Sequence, residues 1–166
     1  MARGDDLTVT QSVLDRLIDR EPNLASDPST TRAQSVRQLK ASLRRDLEWL
    51  LNTRRNADNA ADELAEVTRS VHNYGLPDFT RFGTDSVRDR NQLILEVEST
   101  VALFEPRLRD VRVTVLDSPA SSRGTRLVHL QIEGMLQMDP APEQVSFDTV
   151  LQLTSGEIQI RGDRGA

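Results

Sequence analysis

The side chains equipped for chemistry are few in kind. Cysteine is absent, and His72 and His129 are the two histidines. Without thiolates there is no disulfide, no thiolate zinc site, no iron–sulfur cluster and no cysteine nucleophile. Two imidazoles leave little for a histidine metal site or a Ser-His-Asp triad. The sequence contains no dinucleotide fingerprint, phosphate-binding loop, zinc-protease helix motif or nucleophile elbow. Carboxylates are plentiful, with 26 Asp+Glu. A glycosidase needs two of them roughly 5–10 Å apart in a cleft. Glu105, Asp110 and Glu133 could meet in that way, whereas Glu96 and Glu98 share a helix but point to different faces. His129 falls on the outward register of its strand, and His72 suits the end of a helix. The reading is no catalytic residue, no cofactor and no metal.

One short motif does hold opposite charges in a fixed geometry. Glu105, Pro106 and Arg107 follow a helical stretch and precede a strand. Pro106 stops the helix and fixes the backbone, so Glu105 and Arg107 project rigidly beside the first strand. An arginine fork so held can pair with a carboxylate, either inside the fold or on a partner.

The elements that must carry this motif follow from periodicity. In residues 12–20, Val13, Leu14, Leu17 and Ile18 fall on one helical face, with Ser12 and Asp15 at capping-box spacing. Pro22 ends that helix, and 21–30 reads as a linker. A helix is predicted over about 32–54, capped by Thr31 and Gln34 and striped by Val36, Leu39, Leu43, Leu47, Leu50 and Leu51. Trp49 lies off that stripe and is expected to widen the buried face, the alternative being a partner contact. A weaker helix runs through Leu64, Val67 and Val71 and is stopped by Gly75, with Pro77 just beyond. Phe79 and Phe82 suggest a loop packed down on the core. Another helix begins near Ser86, with Ile94, Val97, Val101 and Phe104 on its face. Leu93, Leu95 and Leu103 broaden that face and suggest cover on more than one side.

After Asp110 the period becomes two. Val111, Val113 and Val115 form one alternating set, and Val128, Leu130 and Ile132 a second. Val145, Phe147, Thr149, Leu151 and Leu153 form a third, and Ile158 and Ile160 a fourth. These are four strands with one buried face each. Short connections (SPASSRG, the exposed DPAPE at 139–143, and a Ser155-Gly156 turn) favour antiparallel pairing. The predicted class is α+β: N-terminal helices, then a four-stranded, mainly antiparallel sheet covered on one face by the two longer helices. The expected organisation is a tail with a short helix and linker over 1–30, a single α+β domain over 31–162, and a tail over 163–166. The outer face would carry Arg112, His129, Gln131, Glu133, Asp148, Gln152, Gln159 and Arg161. The strand at about 157–161, if an edge, would offer unpaired backbone groups for strand addition.

The chain of 166 residues is mildly acidic, with 21 Lys+Arg giving a net charge of −5. Charge is not segregated: 12 basic and 13 acidic residues precede Gly83, and 9 and 13 follow it. Electrostatic binding to nucleic acid or anionic lipid is therefore not expected. Lys40 is the single lysine among the 21 cations, a bias that fits either a GC-rich genome or an arginine-rich contact surface. The opening MARGDDLTVTQ has no apolar core of a secretory signal, and no run approaches the ~18 apolar residues of a membrane helix. A soluble cytoplasmic protein is the expectation.

Three stretches, Ser70-Val-His-Asn-Tyr-Gly-Leu-Pro-Asp-Phe79, Phe104-Glu-Pro-Arg-Leu-Arg-Asp-Val-Arg-Val113 and Ile132-Glu-Gly-Met-Leu-Gln-Met-Asp-Pro-Ala-Pro-Glu-Gln-Val-Ser-Phe147, read together as a signature. With the opening Ser12-Val-Leu-Asp-Arg-Leu-Ile-Asp-Arg-Glu-Pro22, they resemble the TssE family, the small baseplate wedge subunits of the bacterial type VI secretion system. That family is similar to the baseplate wedge proteins of contractile-tail phages, and the resemblance spans about residues 12–162. It implies a structural, non-enzymatic subunit of a cytoplasmic baseplate at the inner membrane. It implies wedge partners TssF, TssG and TssK, and a platform on which the TssB/TssC sheath starts to polymerise. It also implies that Glu105, Pro106 and Arg107 form an assembly motif, and that the sheet mimics a strand-accepting sheath subunit. Two rival readings stand beside it. One is a lysozyme-like, peptidoglycan-active glycosidase. The other is a generic adaptor that binds a helical partner through the 32–54 face.

Overall fold

The computed structural model describes residues 9, 11–18, 22–23, 31–56, 64–83, 86–116 and 127–163. Most of the expected linker, the polar stretch 57–63, the SPASSRG connection and residues 164–166 lie outside them.

Each long helix starts where a side chain replaces its missing backbone acceptors. In α2 (Arg32–Asn52), Thr31 accepts from the Gln34 amide while Gln34 accepts from the Thr31 amide, closing a capping box. In α4 (Val87–Phe104), the Ser86 hydroxyl accepts from the Asp89 amide. The apolar stripe of α2 buries Leu39, Leu43, Leu47, Leu50 and Leu51. That of α4 buries Leu93, Val97 and Val101. Each such leucine contributes about 2 kcal/mol by leaving water.

The strands are β1 (Leu108–Leu116), β2 (Leu127–Leu136), β3 (Glu143–Gln152) and β4 (Glu157–Asp163). They form one antiparallel sheet in sequence order, β1-β2-β3-β4, so β1 and β4 are its edges. Of the expected inner set, Val113, Val128, Leu130, Ile132, Val145, Phe147, Thr149, Leu151, Leu153, Ile158 and Ile160 are buried, while Val111 and Val115 on the edge strand are half-buried against the core. The helices pack on this face, α4 against β1 and α2 against β4, so the core is one layer of side chains between helices and sheet. The β3–β4 turn places Gly156 at φ 75°, where glycine is unstrained. The β2–β3 connector is pinned to α2, with Arg32 Nη2 donating to the Asp139 carbonyl at 2.8 Å and Lys40 Nζ 2.8 Å from Glu143.

Several expectations are corrected. The first helix, α1, covers Val13–Leu17, and its apolar residues are exposed while Asp15 is buried. Polar anchoring has overridden hydrophobic pattern there, as described below. The Leu64–Val71 helix is α3 (Ala65–Thr68) followed by a 3₁₀ turn at Val71–Asn73, because Ser70 caps the His72 amide and restarts the chain. Leu95 and Leu103 on α4 are exposed, because the helix is covered from one side. Trp49 is also exposed: it follows the half-buried Arg45 by one turn on the flank of α2, beside the buried stripe. Since that stripe is consumed by the core, the 32–54 apolar face is not open to an adaptor's partner.

Gly75 stops the third helical segment with φ 103°, as its position predicts. A Cβ there would stand 2.2 Å from the Thr53 carbonyl oxygen. That carbonyl accepts from the Leu76 amide at 2.9 Å, and the Leu76 carbonyl accepts from Arg55 at 2.9 Å. The loop is thus sewn to the end of α2. Phe79 is buried and meets Phe82 edge-on at 4.9 Å between ring centres.

Candidate functional site

Glu105-Pro106-Arg107 forms the tight corner between α4 and β1. Glu105 is the C-cap of α4, its amide donating to Val101 at 2.8 Å. The Leu108 amide returns to the Glu105 carbonyl at 3.1 Å, with Pro106 second in the turn, the position its fixed φ suits. Two residues on, Asp110 has φ 53° and sits in a bulge where the β1–β2 register shifts between Arg109 and Arg112. A short polar side chain tolerates that conformation. Gly134 faces the bulge on β2, and a Cβ there would come within 3.2 Å of the Arg109 carbonyl. Helix stop, turn and bulge together fix where Glu105 and Arg107 point.

The Glu105 carboxylate is buried and receives Arg107 in a fork: Nε to Oε1 at 2.6 Å and Nη2 to Oε2 at 2.5 Å. The Arg107 amide donates to the same carboxylate at 3.2 Å. Nη2 also reaches Asp46 Oδ2 on α2 at 2.7 Å. The Glu105 hydrogen bond holds the guanidinium well above its ordinary pKa, despite desolvation, so it stays charged. Nη1 is enclosed and has no partner among the described residues.

The network continues outward. Asp46 Oδ1 accepts from Arg45 Nη2 at 2.7 Å, and Arg45 Nη1 donates to Asp15 Oδ1 at 2.8 Å. The Ser12 hydroxyl closes the relay on Asp15 Oδ2 at 2.5 Å. Burial alone would raise the Asp15 pKa, but hydrogen bonds from Arg45 and Ser12 outweigh it and leave the carboxyl below its ordinary value. Tyr74, edge-on to Phe104 at 5.3 Å, has its phenol raised by burial and by the carboxylates of Asp46 and Glu105. The Gln137 amide donates to the Arg107 carbonyl at 2.8 Å. All four stretches that carry the family resemblance are linked to this corner: Asp15 by way of Arg45 and Asp46, Tyr74 through Phe104, the motif itself, and Gln137 at the Arg107 carbonyl.

The sheet edges are the second feature. Asn52, at the end of α2, donates from Nδ2 to the Ile158 carbonyl at 2.8 Å and accepts from the Ile158 amide at 2.9 Å. It occupies on β4 the place of a neighbouring strand. On the opposite edge Glu98 accepts from the Val113 amide at 2.8 Å. Each edge is blunted once by a helix side chain. By the two-residue repeat, Ile160 turns its backbone to the same side as Ile158.

The scattered acids are placed apart in role. Glu96 lies 3.3 Å from Arg55, whose Nη2 donates to the buried Thr100 hydroxyl at 3.0 Å. Glu133 lies on the outer face opposite Arg112, and Asp110 is in the bulge. His129 is half-buried, its Nε2 enclosed without a partner among the described residues. Among the described residues no cluster of His, Asp or Glu could hold a metal ion, and no helix is long and apolar enough to cross a membrane.

The sequence marks Asp15 only as a capping partner of Ser12, not as a partner of Arg45, and Asp46 was missed although it carries a signal. It sits three residues after Leu43 and four before Leu50, inside the apolar stripe. A carboxylate there requires a cation from another element. Thr100 has the same standing on α4, next to Val101 and three after Val97.

No curated protein and no solved structure matches the chain. The model of one family, described as baseplate wedge protein gp25, matches residues 37–141, from α2 through the β2–β3 connector. The matched region holds Asp46, Glu105, Pro106, Arg107 and the bulge with Gly134, and covers well over half of the sequence. The chain belongs to the baseplate wedge protein gp25 family.

Proposed function

We propose that this chain is the small wedge subunit of a type VI secretion baseplate. In this reading it works in the cytoplasm at the inner membrane and joins TssF, TssG and TssK. It then offers its sheet as a starting platform for the TssB/TssC sheath and performs no catalysis. Membership of the baseplate wedge family carries the reading. Two features of the fold support it. Arg107, Glu105 and Asp46 lock the α4–β1 corner to α2 at 2.5–2.7 Å, giving a rigid assembly corner. The β4 edge beyond Asn52 offers backbone groups to an added strand.

Co-expression with TssF, TssG and TssK is the direct test. The wedge subunits should copurify with the chain, and a fluorescent TssB should form sheaths in cells that carry it. Cells carrying Arg107→Ala should show few or none. Normal sheaths in cells lacking the chain would overturn the reading. The purified protein should leave a peptidoglycan suspension turbid, and clearing would favour the glycosidase instead.

A further inference from the structure

The segment 11–18 grips the domain by polar groups. In α1 the residue turned inward is a carboxylate, Asp15, whereas Val13, Leu14, Leu17 and the following Ile18 are exposed. Its side-chain bonds to α2 run from Gln11 to Gln38 and from Asp15 to Arg45, the latter at 2.8 Å, about two turns apart along that helix. Val9, just ahead of the segment, is half-buried against the core. Apolar burial, the usual adhesive of a helix, therefore contributes little to holding α1. A buried carboxylate is costly unless it is paired, so the Asp15–Arg45 bond decides whether the segment docks.

A helix of five residues has no stability of its own, since isolated helices shorter than about 12–15 residues are marginal in water. The Ser12 hydroxyl accepts from the Asp15 amide at 3.1 Å, and the Arg16 and Ile18 amides donate to the Ser12 and Leu14 carbonyls at 3.1 Å each. Those bonds persist while the segment lies on α2. Docking and helix formation are one event.

The grip is wired to the α4–β1 corner. Arg45 gives Nη1 to Asp15, and gives Nε and Nη2 to Asp46 Oδ1 at 3.0 and 2.7 Å. With Oδ1 so occupied, Oδ2 is left for Arg107 Nη2 at 2.7 Å. Each side chain in this row orients the next, so Asp15 and Arg107 act on the same Arg45–Asp46 pair from opposite ends.

We propose that residues 11–18 form a strap that opens and closes on the folded domain, latched by Asp15 on Arg45, and that the Arg45–Asp46 pair couples its closure to the Arg107 corner. Such coupling is reciprocal: loosening the corner loosens the strap, and unlatching the strap loosens Arg107. The proposal does not depend on the baseplate reading.

Amide hydrogen exchange of the whole chain, read by nuclear magnetic resonance, tests it. In the wild type the Arg16 and Ile18 amides should exchange more slowly than in a free chain, yet at least about tenfold faster than those of Leu43 and Leu47 in α2. Asp15→Ala should bring both to free-chain rates while the α2 amides stay protected. Arg107→Ala should speed both by roughly fivefold or more. Arg107→Lys, which keeps the charge and loses the fork, should speed them as well and serves if the alanine variant does not fold. Asn52→Ala, which weakens the domain from the far end of α2, should leave them as in the wild type. Wild-type exchange at the free-chain rate would mean that the strap never closes, and exchange as slow as that of α2 would mean that it never opens alone. Either result would overturn the proposal. So would protection that survives Asp15→Ala, rates untouched by both Arg107 variants, or an equal acceleration in Asn52→Ala.

Discussion

Arg107 Nη2 stands 2.7 Å from Asp46 Oδ2, joining the α4–β1 corner to the middle of α2 across 61 residues of sequence. The same nitrogen is 2.5 Å from Glu105, so a single guanidinium bridges two carboxylates, the second of which, Asp46, is shared with Arg45. It is the centre of a chain of charges that alternates in sign from Glu105 to Asp15. Such a network fixes one arrangement of helices, because each charge would stand unpaired in any other.

Arg107→Ala leaves the buried Glu105 carboxylate without its fork. The loss should be about 2–3 kcal/mol, below that of a fully dry pair because the arginine is part-exposed. Urea unfolding followed by Trp49 fluorescence would measure it. An unchanged midpoint would mean that the fork adds nothing to the fold. Sheath assembly should therefore be compared with Arg107→Lys, which keeps the charge and loses the bidentate geometry.

Gly75→Ala meets two obstacles at once: a φ of 103° and a Cβ 2.2 Å from the Thr53 carbonyl oxygen. The backbone must shift, and the Leu76 amide must give up its bond to that oxygen. A loss of about 3 kcal/mol or more is expected. Thermal melting of the purified variant would check it, and a wild-type melting temperature would refute it.

Thr149 faces the core with its hydroxyl enclosed and unpartnered among the described residues. Thr149→Val keeps the shape and removes the orphan polar atom. Stability should rise by about 1 kcal/mol in equilibrium denaturation. A drop of similar size would show that the hydroxyl is satisfied after all.

Asp15 has a carboxyl held below its ordinary value of 3.8 by Arg45 and Ser12, against the effect of burial. The sign follows from linkage. A depressed folded-state value contributes stability that is present above the unfolded value and lost as pH falls through the folded one. The wild type should therefore lose stability below pH 3.8 more steeply than Asp15→Asn does. Near neutrality Asp15→Asn should be the less stable by about 1 kcal/mol. Parallel acid titrations of the two, read by circular dichroism, would cross or converge; parallel curves would be against it.

Asn52→Ala frees the Ile158 amide and carbonyl at the β4 edge. Beyond a loss of about 1–2 kcal/mol for two bonds, the opened edge should raise the tendency to pair with other chains. Light scattering at rising protein concentration would show it, and an unchanged solubility limit would mean that the edge is guarded elsewhere.

The sequence made some of this plain and hid the rest for physical reasons. The strands were legible because alternation such as Val145, Phe147, Thr149 and Leu151 reports a single buried face. Thr31 with Gln34, Gly75 and Pro106 marked element ends because caps and stops are local. The motif Glu105-Pro106-Arg107 was visible, yet its pairing was open, since the choice between internal and external carboxylates depends on where α2 lies. In the structure Nη2 takes the internal carboxylate of Asp46. Trp49 and the leucines of α1 misled for the opposite reason. Hydrophobicity predicts burial only where a second surface exists, and here polar bonds orient the segment.

The Asn52–Ile158 pair spans 106 residues, and α2 packs against β4. During synthesis α2 therefore emerges long before its covering strand. Leu43, Leu47 and Leu51 are buried in the finished fold, and the part of α2 that β4 covers stays open until β4 has left the exit tunnel. Apolar surface left open in this way is prone to aggregate, and a chain shortened before β4 should be less soluble than the whole.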